Sequence, residues 1–233
     1  MNRENPFCIP TVSSFPRWNG ADILVWRLMQ DNPAEYKGQS YLYLYKDSYL
    51  KFHKDTIIKY AKEAGIHPLL LAGVAWQEAG GKPDRLKTFI LTFRQAVDSL
   101  KVNNDFSNRV SIGIIAIQIR AAAESLGVDP KNLTRELQVQ LSRCLQSDDF
   151  NIKVVALHLK DLILFDYPKA DPANLNQEQT ILVGSRYNRG IQRKKEDFIK
   201  AMSAKEHAPE RDYISYGLAI IKRAERVRKI MGM

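Results

Sequence analysis

Leu69-Leu70-Leu71-Ala72-Gly73-Val74-Ala75-Trp76-Gln77-Glu78 is the stretch on which the fold turns. Every position before Gln77 is apolar or glycine, a composition that belongs inside a core rather than on an amphipathic surface. It continues a helical pattern that begins at Thr56-Ile57-Ile58-Lys59-Tyr60-Ala61, and Gly80-Gly81 and Pro83 stop it. Glu78 therefore rides the last turn of a core helix, where the chain turns away. A carboxyl at that edge can be desolvated enough to hold its proton without being lost in the interior. Such a group suits general-acid work, glycosidic-bond cleavage in particular.

Outward from this run the pattern stays helical. Helices are expected at about 53–64, 68–79, 85–100, 115–126, 133–146, 150–166, 176–187, 192–202 and 211–230. Asp55, Asp149 and Asn176 are the expected amino-terminal caps, and Gly65 and Gly127 the carboxy-terminal stops. Residues 1–50 read differently, as an irregular extension with Pro6, Pro10, Pro16 and Pro33 that could pack on the main body. Within it, the alternation Tyr41-Leu42-Tyr43-Leu44-Tyr45 suggests a short strand or a strip laid on that body. The fold class is mainly α, with an extension over 1–50 and one helical domain over 51–233.

Composition narrows the partners. The 233 residues are 45% hydrophobic and 26% charged, ordinary for a globular chain. No apolar run approaches the ~20 residues of a membrane span. Met1-Asn2-Arg3-Glu4-Asn5-Pro6 lacks the apolar core of a secretory signal, so general export is not expected. The formal net charge of +9 favours polyanions: nucleic acid, anionic membrane or an acidic cell wall. Cys8 and Cys144 are too few for a disulfide scaffold, and Cys144, among Leu137, Leu141 and Leu145, reads as a small buried hydrophobe. A Cys8–Cys144 bond is the less favoured alternative. His53, His67, His158 and His207 have no metal-ligand or triad spacing, and no metal or cofactor is expected.

Five segments follow one another in an informative order: Ala75-Trp76-Gln77-Glu78-Ala79-Gly80-Gly81; Ser111-Ile112-Gly113 leading to Gln118 and on to Ala121-Ala122-Ala123-Glu124-Ser125-Leu126-Gly127; Asn151 opening a helix through Leu159; Ser185-Arg186-Tyr187-Asn188-Arg189-Gly190; and Tyr213 to Arg228. Over about residues 52–230 the series resembles the lysozyme-like superfamily, lytic transglycosylases and goose-type lysozymes in particular. Three departures stand out. Ala79 replaces the serine that usually follows the glutamate, Ile115-Ala116-Ile117-Gln118 replaces Gly-Leu-Met-Gln, and Arg85–Phe106 is inserted between glutamate and glutamine.

The resemblance implies a lysozyme-like helical domain in which Glu78 is the acid and base, cleaving the β-1,4 bond between N-acetylmuramic acid and N-acetylglucosamine of peptidoglycan. Gln118 would bond the N-acetyl group or sugar hydroxyls, and its apolar neighbours argue for an amide turned inward. Tyr187 would place a phenol beside the cleavage point, with Asn188 holding the turn through side-chain-to-backbone bonds. Ser111 and Gly113 would let the chain pass close to the sugar. The plainer alternatives are a solvated helix-end carboxylate, a helix stop and a simple turn. Trp76 is assigned to the core.

Most glycosidases need a second carboxylate. Asp84, Asp98 and Asp105 are the candidates, none in a persuasive context. Without one, the substrate's own N-acetyl group serves as internal nucleophile, and that single-glutamate scheme is preferred here. Two other classes compete. The basic runs Lys222, Arg223, Arg226, Arg228, Lys229 and Arg193-Lys194-Lys195 could bind nucleic acid, although they lack groove-reading features; a solvated face that helps hold an anionic wall polymer is preferred. An inactive wall-binding module is the third class. A contact-delivered antibacterial toxin would reach the wall without a signal peptide and would carry a cognate immunity or inhibitor protein; a phage-type enzyme fits as well.

Overall fold

The computed structural model describes residues 5–11, 14–28, 40–80, 84–101 and 103–233. These residues form α1 (Gly20–Leu28), α2 (Ser40–Phe52), α3 (Lys54–Ala64), α4 (Pro68–Glu78), α5 (Asp84–Lys101), α6 (Ile119–Ser125), α7 (Arg135–Leu145), α8 (Asp148–Asp166), α9 (Gln177–Arg189), α10 (Lys195–Ser203) and α11 (Ser215–Met231). One hairpin, β1 (Ser111–Ile112) and β2 (Ile117–Gln118), interrupts them between α5 and α6. The protein is mainly α. No helix among the described residues is long and apolar enough to cross a membrane.

Helix α4 is the hub. Leu70 through Trp76 are buried without a break, because α2, α3, α8, α9 and α11 surround it. Pro68 fixes its first turn, and His67 Nδ1 accepts from the Leu69 amide at 3.1 Å. Helix α8 buries Phe150, Asn151, Ile152, Val154, Val155, Ala156, Leu159, Leu162 and Ile163, with Lys153 and Asp161 left exposed. On α3 the buried positions Ile57, Tyr60, Ala61 and Ala64 keep one face inward, and Gly65 ends the helix in the left-handed conformation. Where α9 crosses α11 the backbones nearly touch. A Cβ on Gly217 would lie 2.0 Å from the Ile181 carbonyl oxygen, so only glycine permits this approach.

Several expectations change. Residues 41–45 are helix, within α2, and not strand. The inward positions Tyr43, Lys46, Tyr49, Leu50 and His53 have helical spacing, but Lys46 and His53 disguise that period and leave the aromatic alternation conspicuous. Among its described residues, the segment before Lys51 thus holds α1 and most of α2. Its earlier part is laced to the body: Phe15 meets the Tyr49 ring edge-on at 5.3 Å, Arg17 pairs with Asp148 at 3.0 Å, and Asn5 Nδ2 donates to the Gln140 carbonyl at 2.9 Å. Cys8 and Cys144 form a disulfide, against the preferred reading of Cys144 as an unbonded hydrophobe. Cys144 is buried as expected, and the segment packed over α7 brings Cys8 to it.

The caps divide. Asn176 forms a full capping box with Gln179, whereas α3 starts after His53 and α8 after Ser147, leaving Asp55 and Asp149 in first turns. Asp149 accepts instead from Tyr60 Oη at 2.6 Å. The helix expected from 115 begins only at Ile119. Asn151 explains the delay: its side chain accepts from the Ile115 amide and donates to the Ile115 carbonyl, both at 3.0 Å, withdrawing that residue from any helical ladder.

Candidate active site

The site is built where the end of α4 meets the hairpin. Ser111 and Gln118 are direct partners in the antiparallel pair, so the two strands place both expected residues side by side. A fully buried Asn151 locks the loop between them. Gly113 lies in that loop at φ +88°, and a Cβ there would stand 2.5 Å from Asn151 Nδ2 and 2.7 Å from the Leu145 carbonyl oxygen. The close approach that requires glycine is therefore to the protein's own asparagine. Gly113 is not among the residues that line either depression beside Glu78.

Glu78 sits half-buried where two depressions adjoin. One, of about 180 Å³, is lined by Ser111, Gln118, Arg120, His158, Tyr187 and Asn188 among others. The second, about 320 Å³, lies toward α5, with Lys87, Arg94 and Arg109 on its wall. Glu78, Ser111 and Ala116 belong to both. The result is a cleft with an acid at its midpoint.

The electrostatics of Glu78 follow from its surroundings. Burial raises its carboxyl above the ordinary value; the Tyr216 hydroxyl bond, the Lys46 and Lys87 charges and the Ala116 amide oppose this without cancelling it. Tyr216 Oη donates to Glu78 Oε1 at 2.8 Å. Lys46 reaches across from α2 and donates to the Trp76 carbonyl at 2.8 Å and to the Gln77 carbonyl at 2.6 Å, placing a cation at the carboxy-terminal end of α4. Burial lowers this ammonium to about 8, with Glu78 holding it up. Desolvation and then the Glu78 charge push both Tyr187 and Tyr216 well above the usual phenol value, so both phenols keep their protons.

Of the expected residues, Glu78, Ser111, Gln118, Tyr187 and Asn188 share one depression. Their individual contacts differ from expectation in two places. Tyr187 Oη is tied to the Ala116 carbonyl at 3.0 Å, and the phenol that reaches Glu78 is Tyr216. Asn188 is exposed on the rim. The 190–193 turn is held instead by Arg186, which donates to the Gly190 and Arg193 carbonyls and forms a two-pronged ion pair with Asp166 at 2.8 and 2.9 Å. Gln118 Oε1 accepts from Arg120 Nε at 2.8 Å, and Gln192, in the amide orientation that satisfies both groups, accepts from the same guanidinium at 3.2 Å.

Sequence reasoning passed over Tyr216, Arg120, Glu124 and His158 as site residues. Burial lowers His158 to about 4, so it is a neutral imidazole at pH 7; its ring lies 5.9 Å from that of Tyr187. Gly217, immediately after Tyr216, was the available signal, since a glycine inside a helix marks a close crossing. Among the second-carboxylate candidates, Asp98 is buried and accepts from the Ser107 amide at 2.7 Å and the Ser107 hydroxyl at 2.6 Å, a structural role. Asp105 is exposed and stands outside the cleft lining, and the side chain of Asp84 lies outside the described residues. Glu124 lines the smaller depression instead, exposed and raised by partial desolvation.

The basic runs are less available than their sequence implies. Arg223 donates to Tyr43 Oη at 2.6 Å and Arg226 pairs with Asp47 at 2.6 Å, so both serve the α2–α11 contact. Lys195 donates to the Asp166 carbonyl at 2.6 Å, and Arg193 lies 3.8 Å over the Tyr213 ring. Trp76 is buried, with Nε1 donating to Asp47 at 2.8 Å. No group of three or more metal-ligating side chains occurs among the described residues. No protein-family model, curated protein or solved structure matches this chain.

Proposed function

We propose that this protein is a peptidoglycan-cleaving glycosidase that acts on the β-1,4 bond after N-acetylmuramic acid, with Glu78 as general acid and then base. The observation that carries the reading is Glu78 itself: a carboxyl raised by desolvation, held by a neutral tyrosine hydroxyl, at the midpoint of a two-sided cleft. A polymer chain laid along the cleft would place one sugar in each depression and the bond between them over the acid. Glu78 donates its proton to the glycosidic oxygen as the bond to C1 breaks. The N-acetyl oxygen of the same sugar closes on C1, in the substrate-assisted scheme. Glu78, now a carboxylate, takes the proton of the attacking hydroxyl. In a lytic transglycosylase that hydroxyl is the sugar's own 6-OH, and an anhydro ring forms; in a hydrolase it is water.

Ser111, Gln118 and Arg120 supply polar contacts to the sugar in the smaller depression. The Cys8–Cys144 bond supports work outside a reducing cytosol, as disulfides persist in oxidising compartments. Mass spectrometry of purified peptidoglycan after digestion tests the reading. Anhydro-muramyl ends that vanish with Glu78→Gln support it, and reducing ends would assign the hydrolase variant. Sacculus binding with no soluble fragments from the parent protein would reassign it to a wall-binding module.

A further inference from the structure

Helix α5 belongs to the stretch where the chain departs from the family it resembles, and it builds the wall of the larger depression. Lys87 and Arg94 come from α5, and Arg109 from the turn preceding β1. Glu78 is the one carboxylate among the described residues lining that depression, and its proton is favoured by burial. Two of the three cations are placed rather than loose. Lys87 is buried and its ammonium donates to the Gly113 carbonyl, which fixes a positive charge behind the hairpin. The Arg94 guanidinium lies 4.5 Å over the Phe106 ring and donates to the Phe106 carbonyl at 3.4 Å. Arg109 is exposed at the mouth. Among the described residues, neither Arg94 nor Arg109 has a carboxylate within ion-pairing distance, in contrast to Arg186, Arg223 and Arg226, which are used internally.

We propose that the α5 depression is an anion subsite that binds a carboxylate carried by the glycan, and so selects muramyl-containing strands over neutral polymers of N-acetylglucosamine. The proposal rests on the glycan-cleaving reading for its ligand. Guanidinium groups with fixed planes match carboxylates in two-pronged geometry, which a loose surface lysine does not. The carboxylate has two sources on such strands: the lactyl group once the peptide has been removed, or the stem peptide while it is attached.

The test measures binding, so that turnover does not enter. In a Glu78→Gln background, calorimetric Kd values are taken for peptide-bearing glycan, for amidase-stripped glycan with free lactyl carboxylates, and for a neutral chito-oligosaccharide. Adding Arg94→Gln and Arg109→Gln raises Kd about tenfold for at least one acidic glycan, as expected for two modest charge contacts, and less than twofold for the neutral oligomer. A loss confined to stripped glycan assigns the lactyl carboxylate; a loss confined to peptide-bearing glycan assigns the stem. Arg109→Glu alone, at an exposed position that folding tolerates, should move Kd in the same direction.

Equal losses on acidic and neutral oligomers, or no loss on either acidic one, overturn the subsite. So does a single-stranded oligonucleotide that binds more tightly than glycan and loses affinity in the same variant. If the parent protein cleaves peptidoglycan and these arginines do not matter, only the subsite falls. If charge-dependent glycan binding holds but nothing is cleaved, only the glycosidase reading falls.

Discussion

Replacing Arg186 with Met should be among the most damaging single changes in the molecule, and the size of the loss can be worked out. The Arg186 and Asp166 side chains are 1% and 2% exposed, and two parallel bonds of 2.8 and 2.9 Å join them. Methionine fills similar volume but leaves the Asp166 carboxylate buried without its counter-charge. Breaking a buried pair from one side costs about 3–5 kcal/mol. For a chain of this size each kcal/mol moves the melting temperature by about 2–4 °C, so a fall of roughly 6–20 °C is expected. Lys195 cannot substitute readily, since its ammonium is already on the Asp166 backbone carbonyl and 3.7 Å over the Tyr167 ring. Urea unfolding followed by circular dichroism measures the loss. The double variant Arg186→Met/Asp166→Leu removes both charges and should recover most of it. A single-variant loss under about 1 kcal/mol, or a double variant no better than the single one, would refute the reasoning.

Glu78→Gln should reduce wall degradation by at least ~100-fold while leaving the fold intact, measured by release of soluble muropeptides. The same variant has a sign-definite stability signature. A carboxyl raised in the folded state costs stability progressively as pH climbs from its unfolded value of 4.5 to the higher folded one, because over that window only the unfolded chain ionises freely; the Gln variant should therefore be the more stable protein at pH 7 and match the parent below pH 4 in thermal scans. Glu124→Gln separates the two chemical schemes: turnover within about threefold of the parent fits substrate assistance, and a loss comparable to that of Glu78→Gln would make Glu124 a required second carboxylate. Gly113→Ala should lower stability by about 1–3 kcal/mol through left-handed strain and collision with Asn151, and activity should fall further than stability because Ser111 and Gln118 shift with the hairpin. Reducing the Cys8–Cys144 bond should cost about 2–5 kcal/mol, read as a drop in urea midpoint with dithiothreitol.

The helical body was legible because its core positions are chemically plain. Leu70 to Val74 form an unbroken apolar run, and Phe150, Ile152, Val154, Val155, Ala156, Leu159, Leu162 and Ile163 recur at helical spacing, so both announce burial. Around the site, residue type and chain order together picked out Glu78, Gln118 and Tyr187, which converge on one cavity. What stayed hidden depends on contacts between distant segments. The Tyr216 bond to Glu78 is one, the placement of Lys46 at the end of α4 is another, and the disulfide is a third. A lysine facing inward reads as solvent-exposed in any pattern of polar and apolar residues, so the sequence of α2 suggests a short strand or packed strip at 41–45 where the chain is helical. The carboxy-terminal arginines failed in the opposite direction. A row of cations suggests an outward binding face, yet Tyr43 and Asp47 draw two of them inward.

The bond between Tyr216 and Glu78 spans 138 positions of sequence, and synthesis runs from the amino terminus, with domains folding as they emerge. A nascent chain that has released α4, the hairpin and α9 already carries the glutamate, the glutamine and Tyr187, but not the hydroxyl that holds the acid. That hydroxyl arrives with α11, which settles against α9 only through the glycine beside it. The order of synthesis therefore sets the order of assembly: a chain that stops before α11 holds Glu78, Gln118 and Tyr187 but lacks the hydrogen bond that fixes the Glu78 carboxyl.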